Sequence, residues 1–237
     1  MVRVDYKKDF IKAVEEIQKS GKSSYEIFTD FCEMAAIAFM RFNPGFSERE
    51  ERYLAIVGQY KKDHVGRLAD MLATLNWAME EKFCDFLGEC FHALELHNKN
   101  LGQFFTPYSL SLLSAQLTIQ EPSKEEKPLW INEPACGSGS MLIACAQVMK
   151  DRGIDYQNDT IVVAQDISRM CYHMAFVQLS LVGFSGKVVC GDTITQEVFD
   201  EKILPMTFLR PTHITALMRN DNTHSLILKK GDKSDGR

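Results

Sequence analysis

Apolar residues recur at spacings of three and four through the first hundred residues, which predicts helices in that part of the chain. The first predicted helix covers residues 4–19 and ends before Gly21. Ser23 and Glu26 have the spacing of a capping box, so they predict the start of a second helix. Three more helices are predicted: one opened by Ser47 and Glu50, one marked by Val65, Leu68, Leu72, Leu75 and Met79, and one marked by Phe83, Leu87, Phe91 and Leu94. Residues 1–100 are therefore expected to form an all-helical N-terminal domain.

From residue 101 onward the apolar pattern changes to alternating helices and strands. Thr106 and Pro107 suit the cap and first turn of a helix that runs to about residue 117. Strands are predicted at residues 129–133, 160–166 and 187–190, with helices at about 139–151 and from Ser168 to near Gly183. This alternation is typical of an α/β fold with a parallel, doubly wound sheet. The predicted sheet domain covers residues 101–228, and residues 229–237 are predicted to be a polar tail.

The composition narrows the class of protein. The chain has 237 residues, of which 45% are hydrophobic, which is enough to bury a core. A net charge of −5 argues against a chain that binds nucleic acid without a partner subunit or a local basic patch. The seven cysteines form no Cys-x-x-Cys pair and the six histidines show no metal-ligand spacing, so reduced buried thiols and no metal are expected. No membrane span or secretory leader is predicted, and the expected location is cytoplasmic.

The most informative segment is Asn-Glu-Pro-Ala-Cys-Gly-Ser-Gly-Ser-Met at residues 132–141. It joins a predicted strand to a predicted helix, where glycines allow close approach of the backbone to a ligand. The next two predicted strands end in Asp166 and Asp192, and carboxylates there suit the hydroxyl groups of a ribose and the amino group of an adenine. An alternative is that Asp166 and Asp192 only cap the elements that follow them.

Four motifs together resemble the adenine-specific (N6) DNA methyltransferases that act as modification subunits of type I restriction-modification systems. The motifs are Gly-Gln-Phe-Phe-Thr-Pro at 102–107, the segment at 133–141, Ala-Gln-Asp-Ile-Ser at 164–168 and Gly-Asp-Thr at 191–193. Their order and spacing agree with that family over roughly residues 100–195. The resemblance implies a Rossmann-like methyltransferase sheet and S-adenosylmethionine as the cofactor.

The resemblance also implies roles for individual residues. Asp166 holds the ribose of the cofactor, Ile167 packs against its adenine, and Asp192 bonds the adenine amino group. The methionine end is flanked by Phe104, Phe105, Thr106 and Pro107, and its amino-acid part is surrounded by the backbone of Glu133, Ala135, Gly137 and Gly139. For Phe104 and Phe105, packing in the core is an alternative.

The catalytic loop of that family is not found at its expected place. The family carries Asn/Asp-Pro-Pro-Tyr/Phe there, whose oxygens accept the hydrogens of the target amine while the aromatic ring stacks on a flipped base. The loop is expected shortly after a Phe-Asp pair such as Phe199-Asp200, but Leu204 or Pro205 occupies the position of the Asn or Asp. Pro205 and Phe208 remain as candidates for the loop, and the catalytic residues are otherwise unknown.

Length also separates the chain from the family pattern. Only residues 193–237 follow Asp192, which is too few for the four further strands of a complete methyltransferase sheet. One more strand is predicted at residues 226–228. The expected sheet is therefore a truncated one.

Three functions are compatible with these motifs. The first is an S-adenosylmethionine-dependent adenine-N6 DNA methyltransferase that reaches DNA through a separate specificity subunit or partner chain, as a homo- or hetero-oligomer. The second is a catalytically inactive cofactor-binding protein that regulates or scaffolds a modification system. The third is methylation of RNA or protein, because a cofactor-binding half does not define the acceptor.

Overall fold

The computed structural model describes residues 4–96, 105–120 and 128–219. The helical region covers the first two of these ranges. It contains α1 (Tyr6–Gln18), α2 (Ser24–Phe39), a 3-10 turn (Met40–Phe42), α3 (Phe46–Val57), α4 (Lys62–Glu81), α5 (Phe86–Ala93) and α6 (Tyr108–Thr118). The sheet region covers the third range and contains β1 (Leu129–Glu133), α7 (Ser140–Asp151), α8 (Tyr156–Asp159), β2 (Thr160–Asp166), α9 (Arg169–Val182), β3 (Ser185–Asp192), β4 (Glu197–Ile203) and a 3-10 turn (Pro205–Leu209). Residues 211–219 are helical. The chain is thus a helical region followed by an α/β sheet, as predicted.

Some predicted features lie outside the described residues. They are Phe104, the predicted strand at 226–228 and the predicted tail at 229–237. The predicted domain boundary near residue 100 also lies outside them, so the division at that point stays a prediction.

The predicted helix starts are confirmed in part. Ser23 and Glu26 form the full capping box at the start of α2. By contrast, α3 begins at Phe46, because Gly45 takes the left-handed conformation before it and Ser47 is already inside the helix. The N-cap of α6 is Pro107, one residue later than predicted.

The fifth helix is shorter than its apolar stripe. The Asp85 carboxylate accepts a hydrogen bond from the Gly88 N–H and caps α5, so the helix begins at Phe86. Phe83 and Leu94 belong to the stripe but lie outside the helix. Both side chains still pack against the core, Phe83 before α5 and Leu94 after it.

The four described strands lie in the order β1-β2-β3-β4. β1, β2 and β3 are parallel, as predicted. β4 pairs with β3 in the antiparallel sense, which corrects the expectation of a purely parallel sheet. Because β1, β2 and β3 are parallel, their carboxyl ends meet at one edge of the sheet.

Both crossover helices lie on one face of the sheet. Strand order follows chain order from β1 to β3, and right-handed crossovers in one direction place α7 and α9 on the same side. Their buried residues join Val162, Ala164 and Val188 in a single core. Within the described part of the chain, both crossover helices therefore cover the same face of the sheet.

The same core continues into the helical region. Phe10 is fully buried, and its ring centroid lies 5.1 Å from that of Phe31, 5.5 Å from Phe86 and 6.3 Å from Phe28. Helix α2 packs along α9 and so joins the helical region to the sheet. Asn43 adds a polar link, because its side-chain amide exchanges two hydrogen bonds with the backbone of Ile203 at the end of β4.

All seven cysteines are free and buried, as the sequence predicts. Burial raises the pKa of their thiols, and for Cys145 the raised pKa is about 11. Among residues 4–96, 105–120 and 128–219, no helix is both long and apolar enough to cross a membrane.

Replacing Phe10 tests the shared core. We expect Phe10→Ala to lower the free energy of unfolding by about 3–5 kcal/mol, because it removes a ring that three other rings enclose. Phe42→Ala is the matched control, since the Phe42 side chain is 66% exposed and should lose less than about 1 kcal/mol. Urea unfolding measures both variants, and equal losses would contradict this packing.

His173 makes the stability depend on pH. Its imidazole is buried in α9, and burial lowers its pKa to about 4 while the nearby Glu33 carboxylate opposes the shift. The unfolded chain takes up this proton near pH 6.5 but the folded chain does not, so stability falls as the pH drops from 6.5 to 4. We expect this residue to account for up to about 3 kcal/mol of the loss. Unfolding measured across that range should show a shallower decline for His173→Gln, and identical declines would contradict the assignment.

Candidate functional site

The candidate site centres on the glycine loop, which we define as residues 134–139 between β1 and α7. Gly137 has a φ of 53° and Gly139 a φ of 96°, both in the left-handed region. Side chains are poorly tolerated at 96°, so glycine is needed where Gly139 caps α7 and turns the chain into it. The end of β1 is thereby joined directly to the N-terminus of α7, which is a favourable place for a polar ligand.

The loop is fixed to β2 through its backbone. The Cys136 N–H donates to the Gln165 carbonyl at 2.8 Å, and the Gly137 N–H donates to Asp166 Oδ2 at 2.9 Å. A parallel strand therefore supports the loop with its backbone and with its terminal carboxylate.

The helical region fixes the loop from the other side. Ser138 Oγ donates to the buried Asp85 carboxylate at 2.5 Å, and Gln178 of α9 donates to the Ser138 carbonyl at 2.8 Å. Ser140, in the first turn of α7, shares a hydrogen bond of 3.0 Å with Ser111 of α6. Side chains at the start of α5 and in α9 thus hold the loop itself, and α6 holds the first turn of the helix that follows it.

A cavity of about 110 Å³ lies against the glycine loop. Its lining residues are Phe105, Thr106, Ser111, Glu133, Ala135, Cys136, Gly137, Ser138, Ser140 and Met141. Pockets that enclose a whole small molecule are usually about 300 Å³ or larger. The cavity therefore has room for one end of an extended ligand, whose remainder would lie along the strand ends.

Phe105 forms one wall of this cavity and also packs on the core. Its ring centroid lies 4.9 Å from that of Phe91 and 5.7 Å from that of His92. The ring also covers Gly137, where an added Cβ would lie 3.0 Å from it. The two readings of Phe105, site residue and core residue, are thus both compatible with its position.

The three predicted acidic residues lie at the carboxyl ends of neighbouring strands. Glu133 ends β1 and lines the cavity, Asp166 ends β2 and Asp192 ends β3. Asp166 accepts from the Ser168 N–H at 2.8 Å and from Gly137, one bond for each oxygen. A carboxylate oxygen can accept a second bond, so Asp166 keeps the capacity to bind two hydroxyl groups.

Asp192 is partly engaged in a turn. Its Oδ1 accepts from the N–H groups of Ile194 and Thr195, and these bonds lower the pKa of the carboxyl. The next residue, Thr193, donates to the Pro134 carbonyl at 2.6 Å, which brings the end of β3 against the glycine loop. Ile167, between the two acidic strand ends in sequence, is 61% exposed and available for contact with a ligand.

Pro205 and Phe208 lie at the opposite edge of the sheet. β4 runs back along β3, so Ile203 pairs with Lys187 near the start of that strand. Thr207 then bonds the backbone of Gly186 through its hydroxyl. The structure does not bring Pro205 and Phe208 together with the glycine loop.

Metal and thiol chemistry have little support at this site. Within the described ranges, no group of three or more His, Cys, Asp or Glu side chains is arranged to hold a metal ion. Cys136 belongs to the loop, but burial raises the pKa of its thiol well above the usual value, which keeps it protonated at neutral pH.

The sequence analysis missed Asp85, Ser138 and Gln178. Asp85 followed by an apolar pair is a recognisable N-cap signal, which could have placed the start of α5. The contact between Asp85 and Ser138, however, spans 53 residues, and no local pattern indicates it.

Comparison with known proteins identifies a family for this chain. A model of the N-6 DNA methylase family matches residues 84–220, which is more than half of the chain. The chain belongs to the N-6 DNA methylase family. The matched region of this methylase-family chain begins just before Asp85 and includes the glycine loop and all four strands.

One similar protein is the type I restriction enzyme MjaIX methylase subunit from Methanocaldococcus jannaschii. It is 26% identical over 146 residues, which are 60% of this chain and 24% of that protein. The methylase-family chain therefore spans about a quarter of the length of this relative.

Substituting Gly139 tests whether the loop needs its left-handed conformation. We expect Gly139→Ala to lower the free energy of unfolding by about 1–2 kcal/mol, because an L-residue is strained at this φ. It should also speed hydrogen exchange at the amides of residues 136–140. Gly21→Ala is the control, with a φ of 101° and open space around it, and it should lose similar stability without affecting those amides. Unchanged stability and exchange in Gly139→Ala would contradict the requirement.

Proposed function

We propose that this chain binds S-adenosylmethionine at the glycine loop and is the cofactor-binding part of an adenine-N6 DNA methyltransferase. The observation that carries the proposal is the meeting of three acidic strand ends and a glycine loop at one edge of a parallel sheet. Ligands of open α/β folds bind at such an edge, beyond the carboxyl ends of the strands. Membership of the N-6 DNA methylase family supports this cofactor.

The residues at the site fit the chemistry of an adenosyl group with a charged amino-acid end. The Asp166 carboxylate would accept from the two ribose hydroxyls, Asp192 would accept from the adenine amino group, and Ile167 offers apolar surface beside them. When bound, S-adenosylmethionine supplies an electrophilic methyl group on a positively charged sulfur. The negative charge of Glu133, Asp166 and Asp192 favours such a cation.

The amino-acid end would occupy the cavity at the loop. Its walls include Phe105 and Thr106 from the segment before α6, with Pro107 following as the cap of that helix. On the other side lie Glu133 and the backbone of Ala135 and Gly137, and Gly139 keeps the role that the resemblance implies. Phe104 keeps the role that the resemblance implies.

DNA would be reached through a partner. The chain carries a net charge of −5, which opposes binding to a polyanion. The printed name of the similar protein describes a subunit of a type I restriction enzyme. We therefore propose that DNA recognition belongs to a separate specificity subunit in a hetero-oligomer.

A second candidate is a cofactor-binding protein without transferase activity. The segment after Phe199-Asp200 lacks the Asn or Asp of the family's catalytic loop, and it lies at the edge of the sheet opposite to the glycine loop. A regulator or scaffold of a modification system needs the cofactor site alone.

Calorimetric titration of S-adenosylmethionine tests the proposal. We expect saturable binding to the wild type and about 10- to 100-fold weaker binding to Asp166→Asn, which loses bonds between a charged acceptor and the ribose. Asp155→Asn is the matched control, because Asp155 caps α8, on the loop that leads into the start of β2, and its replacement should leave affinity unchanged. A folded wild type that gives no binding at millimolar ligand would contradict the proposal.

A labelled-methyl assay separates the two candidates. Transfer of labelled methyl to adenine in mixed-sequence DNA, alone or with a DNA-recognising subunit added, supports the methyltransferase. Binding without transfer under both conditions supports the regulator or scaffold.

A further inference from the structure

The Asp85 carboxylate does more than cap its helix. It is 3% exposed, and it accepts from the Gly88 N–H at 3.0 Å, from Gln178 Nε2 at 2.8 Å and from Ser138 Oγ at 2.5 Å. Burial raises the pKa of this carboxyl, and the three donors oppose the shift. Burial of this charged group costs free energy, and its three hydrogen bonds offset that cost.

Other aspartates in the chain show that capping alone does not need burial. Asp5 caps α1 and Asp155 caps α8, each by accepting from the backbone N–H three residues on. Both of these residues are exposed. Since an exposed carboxylate is sufficient for a cap, the burial of Asp85 serves its additional contacts with Ser138 and Gln178.

Gln178 completes a closed network around Ser138. Its Nε2 donates both to Asp85 and to the Ser138 carbonyl at 2.8 Å, and its Oε1 accepts from the Leu87 N–H at 3.0 Å. Gln178 is fully buried and Ser138 is 1% exposed. Ser138 is thus held through its side chain and its backbone by residues of α9 and of the segment that starts α5.

These hydrogen bonds fix the orientation of a peptide group inside the glycine loop. The Ser138 carbonyl accepts from Gln178, and the Gly139 N–H of the same peptide group donates to the Cys136 carbonyl at 2.8 Å. Because a peptide group is planar, bonds on both of its sides fix its orientation. Glycines flank this serine on both sides, and without such bonds they would leave the loop backbone free to sample many conformations.

The sequence around Asp85 leaves space for this arrangement. A Cβ on Gly88 would overlap the Asp85 carboxylate, so glycine at this helical position allows the side chain to fold back and reach Ser138. Glycine in a helix carries a cost of about 1 kcal/mol relative to alanine. The position of the carboxylate is what requires it.

We propose that Asp85 is a positioning residue that holds the glycine loop, through Ser138, in the conformation that receives the cofactor. The inference rests on the proposed binding of S-adenosylmethionine to that loop. It gives the residue that caps α5 a direct part in the affinity of a site built on the sheet.

Variants that keep the helix cap test the proposal. Asp85→Ser retains a capping hydroxyl but is too short to reach Ser138, and Ser138→Ala removes the loop hydroxyl without touching α5. We expect each to weaken S-adenosylmethionine binding about tenfold, the weight of one hydrogen bond to a charged group. The double variant should bind no more weakly than the weaker single variant, because both remove the same contact. Asp155→Ser, which alters an exposed cap, should bind like the wild type.

Hydrogen exchange of the ligand-free protein separates a local effect on the loop from general destabilisation, which would speed exchange throughout the chain. Amides of residues 136–140 should exchange faster in Asp85→Ser and in Ser138→Ala, while Asp85→Asn, which keeps the length of the side chain, should restore part of the protection. Affinity unchanged in folded variants, or additive losses in the double variant, would overturn the inference alone. A wild type that does not bind the cofactor would instead contradict the proposed function, and the inference with it.

Discussion

The shape of the glycine loop depends on one constraint, which is that polar groups buried away from water must find partners inside the protein. The loop contains two left-handed glycines and has little intrinsic preference for a single conformation. Its order comes from outside, through Asp166 at the end of β2 and through Asp85 and Gln178 in the helices. The helical region is therefore a structural part of the candidate site, and one core runs through both parts of the chain.

Features set by neighbouring residues could be predicted from the sequence. The predicted bounds of β1 and β2 agree with the structure, because both strands are short apolar runs with turn residues on either side. The capping box of Ser23 and Glu26 was equally clear, since two side chains three residues apart satisfy each other. The glycine loop and the acidic strand ends belong to the same class, because a strand followed by glycines and a helix carries a local pattern.

Features set by distant contacts could not be predicted in this way. β4 is an edge strand whose residues are largely exposed, so it lacks the clear alternation of a half-buried strand. Its pairing with β3 turns the chain back, and this placed Pro205 and Phe208 far from the strand ends at which the cofactor is expected. For Asp85 the local signal indicates a cap, but its burial and its reach to Ser138 depend on how α5 packs against α9.

The burial of all seven thiols makes their chemical reactivity a measure of local unfolding. Thiols react as thiolates, and in the folded protein these groups are both shielded and held in the protonated form. An alkylating reagent therefore modifies a cysteine after the segment that carries it has unfolded from the core. Because Cys32 and Cys90 lie in the helices and Cys145, Cys171 and Cys190 in the sheet part, the order in which they become modified reports which half of the chain separates first.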